Sequence, residues 1–289
     1  MRGLLVGVDG SDSAAAALTW AAREADLHDW PLTAVLAWRV LNQPHDDATA
    51  GFDPDFGASD ALAALDGYVQ RALGPERAGR VSLQPVCELP VRALLDASAG
   101  ADLLVVGTRG RGGFSGLLLG SVSQHLVHHI TRPIAIVRPI AAPQASAPER
   151  IVVGVDGSAT AQAALLWAID EAKLRGATLT VVHAWQMPYA GGYPYAGPAL
   201  ETTPFEEAAQ QVLDGALAAV ADRTQDLEIV PMHLSGLPAW TIIDAAQGAD
   251  LVVVGARGLS GFKGLLVGSV SQQLAHHAPC PLVIIPSAA

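Results

Sequence analysis

The chain contains itself twice. Leu4-Leu5-Val6-Gly7-Val8-Asp9-Gly10-Ser11 returns as Ile151-Val152-Val153-Gly154-Val155-Asp156-Gly157-Ser158, 147 residues on. Asp102-Leu103-Leu104-Val105-Val106-Gly107 returns as Asp250-Leu251-Val252-Val253-Val254-Gly255, now 148 residues on. Gly120-Ser121-Val122-Ser123-Gln124 returns as Gly268-Ser269-Val270-Ser271-Gln272 at the same offset. A period this long marks a duplicated domain, because stacked solenoid units repeat every 20–50 residues or so. The joint is the Ala/Pro/Ser stretch Ala141 to Pro148, which has no periodicity. The expected organisation is a domain over 1–140, a linker over 141–149 and a second domain over 150–289. Each half of the 289 residues is long enough to bury its own core.

Each half alternates strand and helix. The apolar run over 4–8 is bounded by Gly and Asp and suits a strand buried on both faces. Residues 13–27 carry helical spacing in Ala17, Trp20, Ala21 and Glu24. Strand patterns follow at 33–38, 82–87, 103–106 and 134–137, with helix patterns at 59–73, 91–99 and 121–130. The second half repeats this order. Alternation of this kind argues for an α/β fold: a parallel sheet covered by helices on both faces.

Two glycine loops carry the chemistry. Gly107, Arg109 and Gly110, then Gly120 and Ser121, make G-x2-G-x9-G-S; Gly255, Arg257 and Gly258, then Gly268 and Ser269, repeat that spacing. A buried strand ends at the first glycine, where the backbone can turn and approach a ligand closely. A helix begins near the serine, so its free N–H groups and positive dipole end face the same space. Ser121 and Ser123, with Ser269 and Ser271, add small hydroxyls there. An isolated turn of this type could be an ordinary N-cap; two copies at identical spacing point to an anion site, most simply for phosphate. Neither copy is G-x-G-x-x-G, and Lys263-Gly264 lacks the Ser or Thr of a P-loop. Asp9 and Asp156 end the first strand of each half, where a sheet switching direction between its first and fourth strands places them beside the loop. Such an Asp can bind a ribose, hold Mg2+ or cap a turn.

Charge and composition exclude other classes. Lys+Arg is 17 against 28 Asp+Glu, a net charge of −11, which argues against duplex nucleic acid as a partner. No apolar run reaches the roughly 18 residues of a membrane span, and no signal-peptide pattern opens the chain. Cys87 and Cys280 make neither a CxxC nor a zinc cluster. A cytoplasmic protein with free thiols is expected.

The V-G-V-D-G-S opening and the G-x2-G-x9-G-S loop, both present twice, resemble the universal stress protein family in its tandem, ATP-binding form. The resemblance covers essentially the whole chain. It implies two Rossmann-like domains of the adenine-nucleotide α-hydrolase type, each a five-stranded parallel sheet of order 3-2-1-4-5. It implies ATP as ligand, beside which Asp9 or Asp156 can hold Mg2+. The implied first site comprises Gly7, Asp9, Ala37 at the adenine edge, Gly107, Arg109, Gly110, Arg111, Gly112, Gly113, Gly120, Ser121, Val122 and Ser123. The implied second site comprises Gly154, Asp156, Ala184, Gly255, Arg257, Gly258, Leu259, Ser260, Gly261, Gly268, Ser269, Val270 and Ser271. The last strands of the halves are expected to pair with each other as an internal pseudo-dimer, which can pair again as a homodimer. Arg111 aligns with Leu259 and Gly112 with Ser260, so unequal sites are expected, the first better for polyphosphate.

Other features point less sharply. His125, His128 and His129, with His276 and His277, lie at helix ends where the dipole favours them. Trp20 and Trp167 suit the core; Trp38 and Trp185 lie beside the adenine edge. The aromatic loop 187–195 suits a lid, a partner surface or a solvated loop. No G-x-S-x-G nucleophile elbow and no Walker lysine are present. The expected function is nucleotide-dependent regulation of stress response or growth, through a protein partner, with little or no hydrolysis. The alternative is a slow hydrolase or phosphotransferase using Asp9 or Asp156 and a divalent metal.

Overall fold

The computed structural model describes residues 3–39, 43, 53–111, 118–129, 131–139, 149–186, 202–259 and 267–287. The first half runs β1 (Leu4–Gly7), α1 (Asp12–His28), β2 (Leu32–Trp38), α2 (Ala58–Ala78), β3 (Val81–Cys87), α3 (Pro90–Ser98), β4 (Leu103–Gly107), α4 (Ser121–His129) and β5 (Ile134–Val137). The second runs β6 (Arg150–Gly154), α5 (Ala159–Arg175), β7 (Thr178–Trp185), α6 (Thr203–Ala218), β8 (Ile229–Ser235), α7 (Pro238–Ala245), β9 (Leu251–Gly255), α8 (Ser269–His277) and β10 (Leu282–Ile285). Every strand and helix read from the first-half sequence is present. The helix pattern ending at Leu73 extends to Ala78 only across a break at Gly74, whose φ of 76° precedes Pro75.

Local chemistry sets these elements. Ser11 caps α1 by accepting from Ala14 N at 3.2 Å, and Ser158 caps α5 by accepting from Ala161 N at 3.2 Å. Both helices stop at a left-handed residue, Asp29 (φ 52°) in one half and Gly176 (φ 63°) in the other. Strands β4 and β9 are apolar along their length because helices cover both faces.

Ten strands form one sheet, in the order β3-β2-β1-β4-β5-β10-β9-β6-β7-β8. Each half is parallel in the order 3-2-1-4-5, as the resemblance implies. The halves meet where β5 and β10 run antiparallel, Ala135 opposite Val283. Both strands are fully buried, so the pairing removes two short apolar edges from solvent. One core lies under α1, α2, α5 and α6; a second lies under α3, α4, α7 and α8.

The joint carries buried charge. Glu24 of α1 and Glu171 of α5 are equivalent by the repeat, as are His28 and Arg175. Arg175 Nη2 lies 2.5 Å from Glu24 Oε2 and 2.7 Å from Glu171 Oε1; His28 Nε2 lies 3.0 Å from Glu171 Oε2. The pairs are reciprocal across the pseudo-twofold, as an isologous contact requires.

Candidate functional site

Between β1 and β4 the chain leaves the sheet in opposite directions, so a crevice opens at the carboxyl ends of these strands. The same crevice lies between β6 and β9. The turn after β1 passes through Gly10 at φ 79°, and the turn after β6 through Gly157 at φ 82°. Ser11 and Ser158 then begin α1 and α5. The N-termini of α1 and α4, like those of α5 and α8, lie at the ends of adjacent strands.

The Asp after the first strand ties this turn to the glycine loop. Asp9 Oδ1 accepts from Ser11 N at 3.0 Å and from Ser11 Oγ at 2.7 Å; its Oδ2 accepts from Arg111 N at 2.9 Å. Asp156 Oδ1 accepts from Ser158 N at 3.0 Å, and its Oδ2 from Leu259 N at 2.9 Å. A Cβ on Gly110 would strike Asp9 Oδ2, and one on Gly258 would strike Asp156 Oδ2. One N–H at the start of each loop and one in the turn after the first strand are thus held on the same carboxylate. Donor bonds on both oxygens suit the Asp to bracing more than to holding a metal.

The first glycine of each loop answers to packing. A Cβ on Gly107 would lie 2.6 Å from Ser13 O, and one on Gly255 2.7 Å from the Thr160 carbonyl carbon. Gly7 sits 3.0 Å under Leu94 of α3 by the same measure, and Gly154 2.8 Å under Ile242 of α7. Gly120 N donates to Thr108 O at 2.7 Å and Gly268 N to Ala256 O at 2.8 Å, closing each loop back on its strand end. Ser123 is buried and donates to Gly107 O at 2.7 Å; Ser271 donates to Ala256 O at 2.9 Å. These hydroxyls tie helix to strand. Ser121 and Ser269 open α4 and α8 and are exposed, with Val122 and Val270 half-buried behind them. Ala37 and Ala184 are half-buried near the carboxyl ends of β2 and β7. Arg109 is exposed, whereas Arg257 donates from Nε to Ser287 Oγ at 3.1 Å. Gly112, Gly113, Ser260, Gly261 and the aromatic loop 187–195 fall outside the described residues.

Several contributors escape a reading of the sequence alone. Ser13 Oγ lies 3.1 Å from Thr108 Oγ1 and accepts from Arg109 N at 3.2 Å; Thr160 donates to the Arg257 carbonyl. Their repeat positions were the only available signal. Tyr68 of α2, with Arg71 and Arg111 at 5.0 and 4.9 Å from its ring centre, has no counterpart of its type in the second half.

One further cluster offers metal-ligand chemistry. The ligand atoms of Glu24, His28 and Glu171 lie within 4.8 Å of one another. The Arg175 guanidinium already bonds both carboxylates, so the cation position is filled from within the chain. Burial pushes the Glu24 carboxyl up to about 7. Burial opposes ionisation of Glu171 too, but the His28 bond and Arg175 outweigh it and hold that carboxyl below its usual range. Of the two thiols, Cys280 is pushed up to about 12 by burial and Cys87 is exposed. An open groove of about 890 Å³ beside Trp30, Leu73 and Arg77 lies at the opposite, amino ends of the strands. Among the described residues no helix is long and apolar enough to cross a membrane.

A duplicated α/β domain with a glycine loop at each switch point defines the class. The profile of the universal stress protein family matches residues 1–138 and again 148–286. A universal stress protein of Mycolicibacterium smegmatis is 36% identical over 289 residues, covering 98% of this chain and 96% of its own. One of Mycobacterium tuberculosis is 34% identical over 296 residues, covering 98% and 95%. The solved structure of a universal stress protein from Archaeoglobus fulgidus shares the fold, with a TM-score of 0.64 at 19% identity over 98% of both chains. The chain belongs to the universal stress protein family, in its tandem two-domain form.

Proposed function

We propose that each half binds an adenine nucleotide, ATP in the first instance, with its phosphates on the glycine loop and its base at the end of β2 or β7. The observation that carries this reading is the duplicated bracket. In both halves one Asp locks the turn after the first strand to the loop after the fourth, beside two helix N-termini. The bracket holds the positive N-terminal ends of α4 and α8 at the strand ends, and a helix N-terminus favours a phosphate.

The chain then acts in the cytoplasm as a nucleotide-dependent regulator of stress response or growth, with little turnover. ATP occupancy changes the shape the chain offers to a protein partner or to a second copy. Efficient hydrolysis needs an oriented water and a base. The hydrolase alternative assigns Asp9 or Asp156 to that work, and the donor bonds on those carboxylates count against it.

Equilibrium ATP titration of the full chain tests the reading. Wild type is expected to take up two equivalents. Gly110→Val, whose side chain displaces Asp9, is expected to lose one of them, and Gly110→Val/Gly258→Val both. Undiminished uptake by the double variant, with its fold intact by circular dichroism, overturns the assignment.

A further inference from the structure

We propose that the two sites take differently charged ligands: the first a nucleotide with two or three phosphates, the second an adenine ligand of low charge, a nucleoside or a monophosphate. This inference rests on the nucleotide reading above and divides it.

The two crevices share a backbone and differ in what stands on it. Arg111 N and Leu259 N each donate at 2.9 Å to the bracketing Asp, so their side chains start from equivalent points. One half projects a guanidinium from there and the other an isobutyl group, 72% exposed. The cover over the turn glycine differs accordingly. A Cβ on Gly10 would lie 2.5 Å from Arg111 Nη2 and 2.6 Å from the Tyr68 ring. A Cβ on Gly157 would lie 3.7 Å from Val212 and 3.9 Å from Leu259. Tyr68 and Arg111 in the first half are thus Val212 and Leu259 in the second. Three residues along the helix from Tyr68 stands Arg71; three along from Val212 stands Gly215, with no side chain at all.

Arg138, which follows β5, is directed across the joint, where its Nη2 donates to Ala275 O of α8 at 2.6 Å. The first crevice therefore gathers Arg71, Arg109 and Arg111; at the matching positions the second keeps Arg257 alone. On a chain of net charge −11 this is a local reversal of sign. Several guanidiniums beside one loop suit a polyphosphate, whose charge rises with each phosphate. Among the described residues the second crevice offers aliphatic cover and one cation, which suits a base and sugar more than additional phosphates.

The test is calorimetric titration of the full chain with ATP and, separately, with adenosine. Wild type is expected to show two classes of ATP site separated by about tenfold or more, the tighter one weakening more steeply with salt. Arg111→Leu installs at an exposed position the residue the second half already uses, so folding is safe. It is expected to weaken the tighter ATP class by about tenfold and leave adenosine unchanged. Leu259→Arg, also exposed, is expected to strengthen the weaker ATP class. The division is overturned if the two ATP classes are equal in wild type, or if Arg111→Leu weakens ATP and adenosine alike. Binding of neither probe brings down the nucleotide reading, and the division with it.

Discussion

The two halves agree where the backbone performs the task and diverge where side chains do. Asp9 and Asp156 each accept from a serine N–H of the turn and from an N–H of the loop. Gly107 and Gly255 meet the same helix start, and Ser11 and Ser158 cap the same helix. At the joint, by contrast, equivalent positions hold His28 and Arg175, and over the turns Tyr68 and Arg111 become Val212 and Leu259. A duplicated gene keeps the backbone frame on which each glycine loop is built. It is free to change the residues that set charge, and through them the ligand and the coupling between halves.

The joint should show the largest asymmetry. Arg175→Met leaves Glu24 and Glu171 buried side by side without their cation and is expected to cost about 3 kcal/mol or more in denaturant unfolding at pH 8. His28→Gln removes one hydrogen bond from Glu171 and should cost only about 1 kcal/mol. Equal losses would mean that the two reciprocal pairs carry the joint equally.

The same cluster predicts a pH dependence. The Glu24 carboxyl has its ordinary value near 4.5 in the unfolded chain and about 7 in the folded one. Between those values the folded state holds the extra proton, so this group's stabilisation is fully present below 4.5 and is lost as pH rises through about 7. Glu171, held below its usual range, works the other way and loses its contribution only in more acidic solution. The melting temperature should therefore fall by a few degrees, about 2–4 °C per kcal/mol, between pH 6 and pH 8. Glu24→Gln should flatten that slope. A slope unchanged in Glu24→Gln assigns the dependence elsewhere.

Frame positions should respond alike in both halves. Gly107→Val and Gly255→Val each drive a side chain against helix backbone and should each destabilise by about 2 kcal/mol. Each should also disable only its own site. Unequal destabilisation would show that the frames are less equivalent than their bonds suggest. The smallest effects belong to the caps: Ser11→Ala and Ser158→Ala should each lose about 1 kcal/mol, within error of each other in thermal melts.

What could be read from the sequence follows the same division. The repeat exposed the bracket because Asp9, Gly107 and Gly120 recur at fixed spacing and their role depends on backbone geometry. Strand order came with the family resemblance, since alternation alone does not order a sheet. The pairing of β5 with β10 came the same way, but its antiparallel sense was not legible. The buried cluster at the joint was not legible, because Glu24 and Arg175 lie 151 residues apart and each looks like an ordinary charge on an amphipathic helix. Tyr68 and Arg71 were missed because Val212 and Gly215 stand at the matching places on α6, so no repeat marked them. Ser123 was legible as a member of the motif but not in its role. A small hydroxyl at a helix start can face a ligand or tie back to a strand, and only packing chooses.

If both brackets hold adenine nucleotide, denaturing freshly purified chain releases a small molecule that mass spectrometry identifies as one. An adenine nucleotide is expected, approaching two per chain once the protein has been saturated with ATP. An empty protein that also takes up no adenine ligand on saturating addition of ATP would contradict it.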